Sequence, residues 1–426
     1  MPKKAHVQAL VSALFFLSAA AVSKASAPYP DDFYHTIYFP VRAVLDGGNP
    51  YDRPAYVSHY PVKSPFAPYA PATLLVYLPF GLFSPAVENW LYTGFMVMLA
   101  AVLVRLSMRY NGLRTNLATV LPIAALLLLS RPGRLNLVVG SNILQLVVAT
   151  YVALWEAPRR PWLSGVALAI ALLKANYGVP LALLMLGMGA GRAVLAGTGW
   201  AVLMNLPVLG LLAHRAGGLW ELWTMALAGL AENQTLTVND PLYSPWRVDA
   251  VSLMSRLSGG QISAWGQLLI ASTVIGTGIW ALRALARTGA DRPFGLVVGI
   301  AGSVILLSVY HQPNDVLLLT LPFLAAVYHR FPGVLNRPGP RWTLLSLYSF
   351  LALNYLVTYR MLKRFGLAVM GADSELAVVS RQPAIVLIFA ANGLAILAAY
   401  AMYLAAGRPA PADGPCGTGA IPDGTP

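Results

Sequence analysis

The chain has 426 residues, 57% of them hydrophobic and only 11% charged, with a mean hydropathy of +0.63; an ordinary soluble domain carries about 25% charged residues. Its apolar residues form continuous runs of about 17–25, long enough to cross a hydrocarbon core roughly 30 Å thick, which excludes a soluble globular fold and, since they do not alternate, a transmembrane barrel. The net charge of +13 comes from short basic clusters between apolar runs, the pattern of membrane topology rather than of nucleic-acid binding, and the one cysteine, Cys416, provides neither a disulfide framework nor a cysteine metal site.

In chain order, MPKK leads into an apolar segment from about His6 to Val22. We read it as an uncleaved first helix with its start inside; a signal peptide cut near Ala25-Ser26-Ala27 is the other reading. Residues 27–86 then form a first outer loop, polar, aromatic and proline-rich, and long connections of this kind are usually functional. Within it the apolar piece Tyr69–Phe83 is broken by Pro71 and Pro79, and we expect it to lie at the interface without crossing. Helices are then expected over about Val87–Leu106, Asn116–Ser130, Leu137–Trp155, Trp162–Leu173, Val179–Met188 and Ala193–Ala213. A second outer loop spans residues 214–262. The last helices are expected over about Ala264–Leu285, Phe294–Val309, Asn314–Tyr328, Trp342–Tyr359 and Ala384–Ala405. Residues 1–407 thus make a single all-α transmembrane bundle of about twelve helices, and residues 408–426 a disordered cytoplasmic tail.

With both termini inside, the clusters around Arg105, Arg159, Arg192, Arg283 and Arg330 all fall on the cytoplasmic side, provided Tyr69–Phe83 does not cross. Arg42, Lys63, Arg131, Arg134, Arg247, Arg360, Lys363 and Arg364 are left outside, unexplained by topology.

Asp31 and Asp32 stand beside aromatic residues in the first outer loop, where apolar surroundings would raise a carboxylate toward the range of a general base; a solvated acidic pair without function is the plainer reading. Lys174 interrupts an apolar stretch, and His311 lies between two helices next to Asp315. Ionisable groups at such depth are functional candidates, against snorkelling for the lysine and a loop or capping role for the histidine. The second outer loop, with Asn233 and Gln234, has the amide, hydroxyl and aromatic content that suits sugars, and equally the content of an interfacial belt. No phosphate-binding glycine loop, dinucleotide fingerprint, zinc-protease motif or nucleophile elbow is present in a plausible context.

The segment DFYHTIYFPVRAVLDGGNPYD, followed by APYAPATLLVYLPFGLF, resembles the start of glycosyltransferase family 87, a group with the GT-C membrane fold. The matching positions are Asp32-Phe33, Gly48-Asn49-Pro50-Tyr51, and Pro68 with Pro71. Further similarities follow in family order: GSNILQLVV from Gly140, with Ser141-Asn142 displaced from the family pattern, and ALLKANYGVP, with Ala175 in place of a proline. ENQTL…LMSRL and YHQPNDVLLLTLPFL complete the resemblance, which spans about residues 6–330.

The resemblance implies an enzyme that moves a sugar from a polyprenyl-phosphate donor to an acceptor hydroxyl on the outer (periplasmic) face of the cell membrane, with inversion. It implies Asp32 as general base (Asp31 as alternate), His311, Lys174 and Arg247 as contacts to the donor phosphate, and Asn233, Gln234 and Tyr51 as acceptor or sugar contacts. No cofactor and no metal ligand is expected, though a divalent metal stays open. The partners are the lipid-linked donor, a glycan, glycolipid or other acceptor, and membrane lipid, without nucleic acid. Mannose is the default sugar, with arabinose and other pentoses open. A transporter of lipid-linked sugars, or a binding protein that keeps the fold without the chemistry, are the competing readings.

Overall fold

The computed structural model describes residues 2–25, 31–62, 66, 69–287, 293–358, 361, 364, 368–370, 376–378 and 383–407. Pro68 and the tail after Gly407 lie outside them. The first long helix, α1, covers Pro2–Lys24. Asp31–Phe33 (α2) runs through a π turn over Tyr34–Tyr38 into Phe39–Leu45 (α3), and Arg53–His59 forms α4. The apolar piece Tyr69–Phe83 folds as two short turns, Ala72–Val76 (α5) and a 3-10 turn at Leu78–Gly81.

The bundle proper consists of α6 (Pro85–Tyr110), α7 (Leu117–Leu129), α8 (Arg131–Val139), α9 (Ile143–Glu156), α10 (Pro161–Ala171), α11 (Ala175–Gly187) and α12 (Gly191–Ala216). It continues through α13 (Leu219–Thr235), α14 (Ala250–Ser258), α15 (Ala264–Arg287) and α16 (Phe294–Ser308). A 3-10 segment Pro313–Leu319 leads into α17 (Thr320–Val327), then come α18 (Pro338–Leu353) and α19 (Pro383–Ala406). Strand pairing among the described residues is limited to a three-residue antiparallel ribbon, Ala368–Met370 with Leu376–Val378, and an isolated bridge.

The all-α, polytopic reading holds: five helices are long and apolar enough to cross a membrane, α1, α6, α12, α15 and α19, and shorter apolar helices pack among them. Two expectations need correction. The run read as one helix over Leu137–Trp155 is two pieces: α8 stops at Gly140, whose φ of 71° closes the helix in the left-handed region, and α9 starts afresh at Ile143. α8 is instead the bent continuation of α7, turned by 75° at Ser130, whose side chain accepts from Gly133 N–H and caps the new helix. The polar segment 214–262 is also largely helical. α13 has a one-sided pattern, burying Leu222 and Gly229 while Trp220 and Trp223 stay exposed, and α14 is capped by Asp249, which accepts from Ser252 N–H.

The long helices share two ends. At one end the first loop is fastened down: Tyr34 and Tyr38 hydroxyls donate to the carbonyls of Pro85 and Phe83, at 3.4 and 3.2 Å, beside the start of α6. Arg215 at the end of α12 donates to the carbonyls of Val44 and Gly48. At the other end lie Tyr110, Trp155, Arg159, Met188, Phe294 and Arg330, which brings Arg159 and Arg330 to one space.

Candidate active site

Asp32 is held by what its neighbours bury. Phe33 is fully enclosed and stacks on Tyr92 of α6, with ring centroids 4.9 Å apart, while Tyr34 packs edge-on against Phe33. The π turn that follows is a device often found at functional sites; here it carries Tyr34, His35, Ile37 and Tyr38 inward and leaves Asp32 half-buried above them. Asp31 is exposed. The Asp32 carboxylate makes no side-chain hydrogen bond among the described residues; the Thr36 hydroxyl donates only to its main-chain carbonyl. Burial pushes its carboxyl up to about 6, the Lys174 ammonium pulls it back, and Asp31 and Asp315 push it up further.

Lys174 stands in the break between α10 and α11, in extended conformation. A broken helix frees backbone groups that lipid cannot satisfy. The first loop supplies the partners: Tyr69 pairs with Lys174 in an antiparallel bridge, and Ala70 N–H donates to the Leu173 carbonyl at 3.1 Å. The turn is tight enough that a Cβ at Gly178 would come within 2.5 Å of the Leu172 Cα. Tyr51, fully folded in, donates its hydroxyl to the Tyr69 carbonyl at 2.9 Å and so supports this stitch from behind. The Lys174 Nζ lies 5.8 Å from the Tyr177 ring centroid and forms no ion pair among the described residues.

His311 arrives from a third direction, on the extended stretch after α16. Val248 N–H donates to its carbonyl at 3.0 Å, and Gln312 with Asp315 forms a reciprocal capping box for the following turn. The buried Asp315 carboxylate accepts from the Tyr177 hydroxyl at 2.7 Å and from Gln312 N–H at 2.6 Å. His311 Nδ1 lies 3.1 Å from the same carboxylate, off the line of a hydrogen bond, and its Nε2 faces the Asn176 carbonyl at 3.3 Å. Asn176 in turn donates to the Tyr310 carbonyl at 2.7 Å, and the Tyr177 and His311 rings meet edge-on with centroids 4.9 Å apart. The first loop, the α10–α11 break and the turn before α17 therefore close on one polar centre holding Asp32, Lys174, His311 and Asp315.

Arg247 adjoins this centre through Tyr310, with its guanidinium carbon 5.2 Å from that ring. Its donors are engaged: two go to the Asp249 carboxylate, at 2.9 and 2.8 Å, and one to the Asn239 carbonyl at 2.7 Å. Both partners are buried, so removing one strands the other's charge. Arg247→Met is expected to destabilise the protein by about 3–5 kcal/mol, read as a lowered melting temperature in detergent. A melting temperature equal to wild type would show that the pair does not hold the second loop.

The remaining candidates lie apart from the centre. Gln234 is exposed near the end of α13, and the Asn233 carbonyl accepts from Asn239, which reaches Arg247 only through its own main chain. Their neighbour Glu232 lines a groove of about 460 Å³ together with Tyr51 and Met225, closed on one side by an Arg53–Glu232 ion pair. Reading the sequence singled out neither Tyr177 nor Asn176 as site residues, although both sit in the stretch that carries Lys174. Among the described residues no three His, Cys, Asp or Glu side chains gather in a set that could hold a metal ion.

The family model of glycosyltransferase family 87 matches residues 66–313, more than half of the chain. It takes in Lys174, Arg247 and His311 and begins after Asp32 and Tyr51. No curated protein and no solved structure matches the chain.

Proposed function

The chain belongs to glycosyltransferase family 87, and from that premise we propose that it transfers a sugar, mannose by default, from a polyprenyl-phosphate donor to an acceptor hydroxyl on the outer face of the membrane. The observation that carries this reading is the half-buried Asp32 carboxylate, which has no side-chain hydrogen bond or ion pair among the described residues, is pushed up to about 6 by burial and is pulled back by the charge of Lys174. A base with that value is ionised at neutral pH yet still accepts a proton readily. Asp32 takes the proton of the acceptor hydroxyl as the acceptor oxygen forms its bond to the anomeric carbon. The bond from that carbon to the phosphate oxygen breaks, its electron pair leaves with the phosphate, and the configuration inverts. Lys174 and His311 stabilise the charge that gathers on the leaving phosphate. The groove beside Tyr51 and Glu232 is the approach for the acceptor.

The convergence of Arg159 and Arg330 at the end remote from Asp32 supports a cytoplasmic placement of that end, with Asp32 outside. A lipid-linked donor carries its activation in the membrane, so this reading asks for no nucleotide-binding domain.

The reading is tested by reconstituting the protein in liposomes with a radiolabelled polyprenyl-phosphate sugar and following label into acceptor. Transfer supports it; donor crossing the bilayer without joining an acceptor would establish transport instead. The acid limb of the rate profile is expected near pH 6, because Asp32 must lose its proton to act. Lys174→Met removes the charge that pulls that carboxyl down, so the limb should move to higher pH. A limb left in place by Lys174→Met would disconnect the two residues.

A further inference from the structure

Four of the helices that frame the Asp32 centre have their opposite ends around a second, separate space. α6 begins at the first loop and ends at Tyr110; α9 begins near Gln145, which accepts from the Tyr77 hydroxyl, and ends beyond Trp155. α11 starts next to Lys174 and reaches Met188, while α16 starts at Phe294 and leads to His311. At about 1.5 Å per residue, α11 and α16 set the two places roughly 20 Å apart. Between these far ends lies a cavity of about 740 Å³, within the range of sites that take a ligand of drug or head-group size.

Its lining is not that of a packing defect. Tyr110 and Trp155 stack at 4.2 Å with an interplanar angle of 14°, and Phe294 meets both edge-on, at 5.3 and 4.8 Å. The Arg159 guanidinium lies 4.3 Å from the Trp155 ring centroid and donates to the Trp155 carbonyl at 2.8 Å, which fixes one cation at the mouth. Arg330 lines the same space. Neither arginine forms an ion pair among the described residues. Arg109 adds a third positive charge near Tyr110, where Glu156 is the acid that acts on that ring among the described residues. The lining is thus aromatic inside and cationic at the rim, at the level where several apolar helices end.

We propose that this cavity binds the head group of an anionic phospholipid from the leaflet at the basic end of the bundle, independently of the transfer reaction. The phosphate sits between Arg159 and Arg330, and the glycerol and upper acyl carbons lie against Trp155, Tyr110 and Phe294. Charge selects the lipid, since neither guanidinium has an ion-pair partner among the described residues, and basic pockets between membrane helices bind anionic head groups.

The test uses the full chain in phosphatidylcholine nanodiscs, titrated with short-chain phosphatidylglycerol or short-chain phosphatidylcholine and followed by melting temperature and by native mass spectrometry of retained lipid. Wild type should bind phosphatidylglycerol roughly tenfold or more tightly than phosphatidylcholine. The Arg159→Gln, Arg330→Gln double variant should lose that preference and retain sugar transfer. The Arg159→Lys, Arg330→Lys variant keeps the charge and should keep most of the preference, which separates a lost site from a damaged fold. Equal affinity for the two lipids, or a preference that survives the glutamine variant, would overturn the proposal. Inorganic phosphate displacing phosphatidylglycerol with equal affinity would overturn the lipid assignment.

Discussion

Asp32→Asn is expected to lower kcat for sugar transfer by about 10²–10⁴, the range that a positioned general base contributes, while raising thermal stability at neutral pH. The two effects have one origin. In the folded protein the Asp32 carboxyl stands at about 6, chiefly because its surroundings exclude water, against an ordinary value of 3.8. Since the folded-state value is the higher one, the favourable contribution of the protonated group is fully present below 3.8 and is lost as pH rises through about 6. At pH 7.5 the fold therefore carries a carboxylate that it would be more stable without. The neutral amide removes that burden, for a gain of about 1–2 kcal/mol once the partial exposure of the residue is allowed for. Melting curves should show the variant ahead of wild type at pH 7.5 and level with it near pH 4. Transfer within a factor of ten of wild type would remove Asp32 from the chemistry, and a melting temperature below wild type would show that the carboxylate serves the fold instead.

How much of this was legible from sequence depended on the range of the interaction. The apolar runs gave the spans because a membrane helix satisfies its own backbone and needs only local composition to be recognised. His311 and Asp315 are four residues apart, so their meeting was within reach of spacing. The third member was not: Tyr177 reaches Asp315 from 138 positions away, and nothing near either residue announces it. Arg247 read as a free cation because its partner lies only two positions on; the pairing needs a loop that folds back to Asn239, which no periodicity encodes. The break at Gly140 was present as Gly-Ser-Asn, yet a hydropathy run counts those three residues as a small dip. In the same way α13 read as loop because its exposed Trp220 and Trp223 look like interfacial belt residues, while the stripe it buries is thin. By residue type Asp32 was one of two adjacent carboxylates, and only the resemblance at Asp32-Phe33 favoured it; in the structure the burial of Phe33 against Tyr92 separates a half-buried Asp32 from an exposed Asp31.

Asp315→Asn is the second change with a large expected effect, a loss of about 10–100-fold in kcat/KM, equivalent to one or two charge-assisted hydrogen bonds. The carboxylate has more to accept than an amide can manage. Oδ1 takes the Tyr177 hydroxyl, and Oδ2 takes the Gln312 N–H and faces His311 Nδ1. An asparagine has one acceptor oxygen, so if that oxygen keeps Tyr177, its amide nitrogen points at the Gln312 N–H, donor against donor. Flipping the amide only moves the conflict to the tyrosine. Either way a donor loses its partner, fully buried at Tyr177 and partly buried at Gln312, which costs about 1–3 kcal/mol of stability, and the turn that presents His311 loosens. Asp315 acts through His311 as a positioning residue, and that route can be separated from simple damage. In a His311→Gln background, Asp315→Asn should add little to the loss of kcat/KM, since neighbours in one network are not additive. Tyr177→Phe, which leaves the carboxylate in place, should cost stability and spare most of the rate. Additive losses in the double variant would mean that the carboxylate works elsewhere in the centre. A variant that melts lower but keeps wild-type kcat/KM would confine Asp315 to the fold.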